Sequence, residues 1–578
     1  MTIVSADAFL TTRPSTVAAF RAGFRYPGTS TRRTAFWLVC AVLFAAGTAA
    51  LWIIDFDRWL PPQAEAYKPL LHDGLHLVAF AMAGAALLAV FNAVSLRPVP
   101  AIAPPVSPPL RAAPSQSFRF LLALLLATAL LRSVNLSSSL WWDELVTVVR
   151  FVHRGILAIL TFGGSANHVS ATVLGWISSK LLGEGEWQFR LPLYLIGCVT
   201  PCVALLTLPR LLNYRVALWA SVLMALHPTM IIMSSELRGY AGGVLCTYLA
   251  AVLFVAIIRT NTRRWTAAYV LCCTVGYGFH IFFILVPVSH AAAAAGMLIR
   301  RRVWRETPAT EHWSGVLSAA LWSIVLSLVV FGIQLPQALA YARSADGAAQ
   351  HSLLCGKVLG NLLCYLSGTP SAIMGLALCV LSVFGWRRIT HSTTVRIAFL
   401  APVFAATVWL LVPGQRYSAR LFFFVLPAFI LGAASAFDRM TRSATRRNGL
   451  AGAAIAAAWL ALAEPTFKEI LLVGNPDLKD LARRLDGASV VLYGRQSDMN
   501  VYYFPTAAVV RRLPATSDEW KPLVSADYVI RGSGPREGWD ARLLSEGFEG
   551  VEFLPSWRGF TCYQVYRRGA GTRVSPLP

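Results

Sequence analysis

The stretch 118–150, "FRFLLALLLATALLRSVNLSSSLWWDELVTVVR", decides how the chain is read. Its first half is a nearly unbroken apolar run, and about 20 helical residues cross the hydrocarbon core of a bilayer. Its second half sets Asp143 and Glu144 side by side, directly behind Trp141 and Trp142. An ionised carboxylate at mid-bilayer costs on the order of 3 kcal/mol, so the pair belongs at a membrane boundary. There the two indoles are expected to sit at headgroup level as aromatic anchors. Which boundary it is, and what the acids act on, depends on the rest of the chain.

The chain has 578 residues, of which 56% are hydrophobic and 14% charged. Soluble domains carry roughly 25% charged residues, and apolar runs of spanning length recur along this sequence. Composition therefore implies a helical polytopic membrane protein. The formal net charge of +23 does not argue for a nucleic-acid partner, because the basic residues fall in short clusters between apolar runs, as cytoplasmic loops do. The cysteines lie mostly inside apolar runs, where they act as small fillers, and no Cys-x-x-Cys pair has zinc-site spacing. No removable signal is expected, since the first apolar run, near Ala35, is followed by no small-residue cleavage site.

The loop charges fix an expected topology. "PRLLNYR" (209–215), "RTNTRRW" (259–265), "RRRVWR" (300–305), "WRRITHSTTVR" (386–396) and "DRMTRSATRRN" (438–448) are all basic and should face the cytoplasm. They do so if the chain makes about thirteen crossings with a cytoplasmic N-terminus. Asp143 and Glu144 then lie outside, in a first external loop at 137–190. The segment 167–183 is too short to cross without inverting every later loop, and is expected to lie shallowly on the external side. Residues 1–117 form an N-terminal unit, with two appended spans and the Pro-rich linker "RPVPAIAPPVSPPLRAAP". Residues 118–464 form the main transmembrane core. After about 465 basic and acidic residues come into balance, and "ASVVLYG", "DYVIR", "VEFL" and "CYQVYR" read as strands. A small external α/β domain over 465–578 is expected.

Several external loops bring polar groups to one membrane face: His168 in "GGSANHVS", Glu186 and Arg190 in "GEGEWQFRLP", Glu236, Arg238 and Tyr240 in "SSELRGY", and Arg416, Tyr417 and Arg420 in "PGQRYSAR". Arginine forks match phosphate oxygens, and a carboxylate can take a proton from an acceptor hydroxyl. Acids and arginines at an outer membrane face suit the transfer of a sugar from a polyprenyl phosphate, whose tail stays in the bilayer and whose phosphate leaves carrying charge. His280 in "GYGFHIFF" reads first as a structural histidine, with approach to the site as the alternative, and His290 among alanines reads as a packing residue.

The segments "LWWDE", "NHVSATVLGWISSKLLGEGEWQFRLPLYLIGCVT" and "HPTMIIMSSELRGYA" resemble the GT-C glycosyltransferases of the protein O-mannosyltransferase and lipid A aminoarabinose transferase type, and "QRYSARLFFFVLPAFILGAA" resembles their later Arg-Tyr segment. The resemblance implies a GT-C membrane fold and transfer from a polyprenyl-phosphate-linked sugar, among membrane lipids, to an envelope acceptor (a lipid, a glycan or a protein). It implies Asp143 as the catalytic carboxylate, with Glu144 in support or sharing a divalent metal ion with it. Arg238 and Arg416 would contact the donor phosphate, with Arg190, Glu236, Tyr240, Tyr417 and His168 lining the site. It places the protein in a bacterial inner membrane, with the site and the C-terminal domain outside the cytoplasm. The competing readings are a transporter or flippase of a lipid-linked sugar, which calls for mid-span ionisable groups and repeated halves, and a surface-polysaccharide polymerase or ligase.

Overall fold

The apolar runs become helices. In the computed structural model the described residues are 29–53, 68–95, 116–161, 167–304, 311–343, 356–387, 389, 392–411, 419–442, four positions within 459–466, 478–493, 502–510, 526–531, 543–545, 548–554 and 563–568. The chain forms two units, residues 1–55 with 79–106, and residues 56–78 with 107–578. In the first, helix α1 (Thr29–Ile53) packs on the later part of α2 (Lys68–Ser95), where the Thr48 hydroxyl reaches the Ala79 carbonyl at 3.4 Å.

The second unit holds most of the bundle. Its helices are α3 (Gln116–Ser133), α4 (Trp142–Thr147), α5 (Ile156–Thr161), α6 (Val169–Leu182), α7 (Glu186–Thr207), α8 (Tyr214–Leu226), α9 (Pro228–Ser234), α10 (Tyr240–Thr260), α11 (Arg263–Phe279), α12 (Leu285–Val303), α13 (Trp313–Phe331), α14 (Leu335–Arg343), α15 (Gly356–Ser367), α16 (Ala372–Trp386), α17 (Thr393–Leu410) and α18 (Leu426–Arg442). Among the described residues of the whole chain, eight helices are long and apolar enough to cross a membrane, or up to ten if each of two bent pairs is one span. The sequence count was higher for physical reasons. The expected spans 216–234 and 370–386 each fall in a bent helix pair, α3 and α11 are 18 and 17 residues long, and most of the last expected span (448–464) lies outside the described residues. α6 has 14 residues, about 21 Å at 1.5 Å per residue, against a core of about 30 Å.

α10 and α18 run through the middle of the bundle, buried along most of their length. Glycine permits the closest approach. A Cβ at Gly385 would collide with the Gly432 carbonyl, so α16 and α18 touch backbone to backbone, as small residues allow in membranes. Ser382 and Trp386 then donate to the Phe429 and Ala428 carbonyls at 3.0 and 2.8 Å.

The break between α8 and α9 bends the chain by 60°. Pro228 has no N–H to give the Met224 carbonyl and forces the preceding residue out of the helical region, so His227 is extended (φ −65°, ψ 119°). The freed carbonyls cannot find water inside the bundle. Arg132, fully buried on α3, supplies the donors: Nη2 to Met224 O at 3.0 Å, Nη1 to Ala225 O at 3.0 Å and Nε to Ser234 Oγ at 3.1 Å.

The C-terminal region folds as helix α19 (Leu478–Arg484) and strands β1 (Val490–Tyr493), β2 (Ala508–Val510), β3 (Tyr528–Arg531), β4 (Phe548–Leu554) and β5 (Tyr563–Arg568). They form one sheet in the order β2-β1-β3-β5-β4, with β1 parallel to β2 and β3 and β5 antiparallel to β3 and β4. Period-two alternation splits the side chains. Val490, Leu492 and Ile530 join the main core with Leu478 and Leu481, whereas Val491, Val529, Phe548 and Tyr566 pack on the other face. The strands expected from sequence are present, and β2 is an addition. The expected helix cap at Asn475 lies outside the described residues.

Replacing Arg132 with Met should lower the thermal midpoint of the purified protein in detergent, because two buried carbonyls lose their donors at about 1–3 kcal/mol each. An unchanged midpoint would show that the break does not depend on this side chain.

Candidate functional site

Asp143 and Glu144 are adjacent in sequence but face different partners. They sit in the first turn of α4, which starts after the loop 133–141. Glu144 is fully buried and saturated. Its Oε1 accepts from Arg190 Nε at 2.8 Å and from the Leu237 amide at 2.7 Å. Its Oε2 accepts from Arg190 Nη2 at 2.6 Å and from the Trp141 amide at 3.2 Å. One carboxylate thereby ties α4 to α7 and to the loop that carries Arg238.

Arg190 is equally committed. Nη1 donates to the carbonyls of Asn135, Leu136 and Ser138 at 3.0, 3.1 and 2.5 Å, and Nη2 also donates to Ser139 O at 3.1 Å. A guanidinium has five N–H donors, and all of them are engaged by Glu144 and the loop carbonyls. Arg190 was expected to line the site; in the fold it holds the loop in shape and has no donor to spare. The same saturation leaves Glu144 no lone pair for a metal ion, and the described residues hold no cluster of three or more His, Cys, Asp or Glu in metal-binding reach.

Asp143 points the other way and is partly open, its side chain 23% exposed. Its Oδ2 lies 3.4 Å from Arg238 Nη2 and 3.5 Å from Arg420 Nη1. These are loose ion pairs, beyond good hydrogen-bond distance. Arg420 Nη1 is buried with no hydrogen-bond partner among the described residues. Trp141 is buried and carries both cations, with Arg238 and Arg420 at 5.9 and 5.3 Å from its ring centroid. The expectation of a headgroup anchor at Trp141 is thus corrected. An indole face attracts guanidinium groups, and here it forms the floor beneath two of them.

Beside this group lies a ring of aromatic and imidazole side chains. His168, ahead of α6, and His280, between α11 and α12, are 4.9 Å apart by ring centroids, and Tyr240 lies 5.3 and 5.4 Å from them. His168 Nδ1 is 2.8 Å from the Phe279 carbonyl, which can only accept, so Nδ1 carries the proton and Nε2 presents a lone pair. That Nε2 is buried without a hydrogen-bond partner among the described residues. Gly239 makes the contact possible, since a Cβ there would collide with the Phe279 carbonyl. Burial, then Arg238 and His280, push the His168 pKa well below the ordinary value, and burial with Arg238 and Arg420 pushes His280 down to about 3. Both rings stay neutral near pH 7. Burial opposes the charge on Arg238, but Asp143, Tyr240 and the buried Glu236 outweigh it and hold the guanidinium above its usual pKa.

Of the residues expected from sequence, the fold thus gathers Asp143, Arg238, Tyr240 and His168 at one end of the bundle, with Glu236 buried alongside. Arg416 and Tyr417 lie outside the described residues. Arg420, four residues on in the same motif, meets Asp143; nothing in the sequence ranked it above Arg416. His280, for which approach to the site was the alternative to a structural role, adjoins His168 and Tyr240. His290 does pack, between the Tyr269 hydroxyl at 2.8 Å and the Ala398 carbonyl at 2.9 Å. The basic loops are at the other end of α10, where Asp438 pairs with Arg215 and Arg442.

Residues 170–331 match the family model described as dolichyl-phosphate-mannose-protein mannosyltransferase. No curated protein matches the chain in sequence. Among solved structures the fold is similar to ArnT from Cupriavidus metallidurans, in the apo state (12% identity, TM-score 0.51) and bound to undecaprenyl phosphate (12% identity, TM-score 0.52). Each match covers 78% of this chain and 98% of the other. A weaker likeness, with 12% identity and TM-score 0.44 over 72% of this chain and 70% of the other, is to the archaeal oligosaccharyltransferase AglB from Archaeoglobus fulgidus. The chain has the GT-C fold, crosses the membrane several times, and is a glycosyltransferase.

Two outcomes follow from this geometry. Arg190→Met should destabilise the protein more than Glu144→Gln, which breaks the buried pair at a cost of about 3–5 kcal/mol, because the arginine also leaves loop carbonyls without donors; equal midpoints for the two variants would contradict it. The depressed imidazole pKa values mean that the unfolded chain binds more protons below pH 6.5, so stability should fall as pH drops from 7 toward 5. His280→Gln should flatten part of that slope, which thermal unfolding across the pH range would read.

Proposed function

We propose that this membrane glycosyltransferase transfers a sugar from a polyprenyl-phosphate-linked donor to an acceptor outside the cytoplasm, with Asp143 as general base and Arg238 and Arg420 holding the donor phosphate. The observation that carries the reading is the Asp143 carboxylate facing two guanidiniums from remote parts of the chain, each at ion-pair distance and beyond good hydrogen-bond length. Loose pairs suit exchange. A phosphate entering between the arginines takes over their charge-assisted hydrogen bonds and frees Asp143. The N-terminus of α10 lies at the same place and favours negative charge. The likeness to a transferase bound to undecaprenyl phosphate supports this donor class.

In the proposed step the acceptor oxygen attacks the anomeric carbon as Asp143 takes its proton. The bond from that carbon to the phosphate oxygen breaks, and the electron pair leaves with the phosphate. Negative charge grows on the leaving oxygen, where fixed guanidiniums lower the barrier most. In-line attack inverts the anomeric configuration. Neutral His168 offers a lone pair at Nε2, and Tyr240 and His280 offer ring faces, which suits a sugar ring with its hydroxyls. Glu144 and Arg190 act as positioning residues and touch no substrate. Arg416 and Tyr417 stay in the proposal on the resemblance of their motif alone. The positive loop charges favour a site and a C-terminal domain outside the cytoplasm, and the bacterial inner membrane stays in the proposal on the family resemblance alone.

The test is turnover of undecaprenyl-phosphate-linked hexose and pentose donors by the purified protein, followed by release of undecaprenyl phosphate. Asp143→Asn should lower kcat by about 10²-fold or more while the thermal midpoint holds. A folded variant that transfers at the normal rate would remove Asp143 from the chemistry, and a product of retained configuration would overturn the in-line step.

A further inference from the structure

The loop that delivers Asp143 is held from two sides, and the second side is the C-terminal domain. From the bundle, Arg190 takes the loop carbonyls, including Ser139 O. From the domain, the Tyr503 hydroxyl accepts from the Leu140 amide at 2.7 Å, and the Lys479 amide donates to Ser139 Oγ at 3.2 Å. Tyr503 and Lys479 also converge on Glu186, at the start of α7. The Tyr503 hydroxyl donates to Oε1 at 3.4 Å and Lys479 Nζ donates to Oε2 at 2.7 Å. Burial pushes the Tyr503 phenol well above its ordinary pKa, so it keeps the proton it donates. Tyr502, edge-on to Tyr503, stacks on His153 at 5.9 Å, just beyond α4 and its π-helical extension.

We propose that Tyr503 and Lys479 are positioning residues for the transfer reaction, and that the C-terminal domain sets the register of Asp143 by clamping the segment 139–153 at both ends. The proposal rests on the reading of Asp143 as the catalytic carboxylate. The physical case is one of divided labour. The loop's carbonyls are satisfied by the bundle through Arg190, while its Leu140 amide and Ser139 hydroxyl are satisfied by the domain. Neither side alone fixes the backbone. Leu140 lies in the loop three residues ahead of Asp143, so a loop that rocks about the Arg190 contact moves the carboxylate relative to Arg238 and Arg420. A misplacement of about 1 Å can cost up to a hundredfold in rate. Glu186 is the latch plate, buried and shared by both domain residues, and Ser139 and Leu140 are sealed beneath the domain with it.

Hydrogen exchange of the full-length protein tests the clamp without any substrate. In Tyr503→Phe/Lys479→Met, which keeps the ring and the lysine stem, amides of 138–147 should exchange faster while the rest of the chain and the thermal midpoint hold. With the donors used above, kcat should fall about tenfold or more at unchanged donor KM. Lys479→Arg in the Tyr503 background should recover most of kcat. Unchanged exchange over 138–147, faster exchange along the whole chain, or a loosened segment with normal kcat would each overturn the proposal. If Asp143→Asn proves fully active, the functional reading fails, whereas the exchange result still decides whether the domain holds the loop.

Discussion

A carboxylate and a guanidinium buried out of reach of water, Glu144 and Arg190, set the position of everything else at the site. Ions of this kind are costly to bury unless every lone pair and proton is matched, and here they are matched, with the Leu237 amide and the loop carbonyls as further partners. The pair joins three pieces that lie far apart in sequence: the loop ahead of α4, the start of α7 and the turn before α10. Asp143 inherits its direction from this joint. Because Glu144 is turned into the bundle, the neighbouring residue on the same helical turn is presented elsewhere, toward Arg238 and Arg420.

The arginines at this end of the bundle sit in two different environments. Arg190 is tightly bonded at every nitrogen. Arg238 and Arg420 lie over the Trp141 ring and pair with Asp143 at 3.4 and 3.5 Å, and Arg238 also reaches the Tyr240 hydroxyl at 3.5 Å. Tight bonding suits a residue that must not move, and loose bonding suits residues that exchange one anion for another. Arg132 belongs to the first kind, since its donors replace what Pro228 removes from a broken helix. The break itself brings α9 and the following Glu236–Tyr240 turn to the site.

Much of the fold was legible because the bilayer imposes a simple rule: a long apolar run must be a helix that closes its own hydrogen bonds. The runs and the short α6 follow from it, whereas the strands near Val490 and Tyr528 were legible from their own β-rich patterning. The span count was less legible, because Pro228 breaks a run that reads as continuous by hydropathy alone. In the site, the residue types were visible and their partners were not. Asp143 and Glu144 look alike in sequence and differ only in what the fold places opposite them. Arg416 and Arg420 sit on the same motif, and no local pattern tells which one faces the acid. Tyr503 and Lys479 lie hundreds of residues from Leu140 and Glu186, so no local signal could have paired them.

The central claim is that Arg238 and Arg420, though distant in sequence, serve one phosphate. The most direct measurement is the affinity of the purified protein for undecaprenyl phosphate in detergent, for the wild type, Arg238→Gln and Arg420→Gln. A lost charge-assisted hydrogen bond is worth about 1.5–3 kcal/mol, so each substitution should weaken binding by about tenfold or more. Wild-type affinity in both variants would contradict the account.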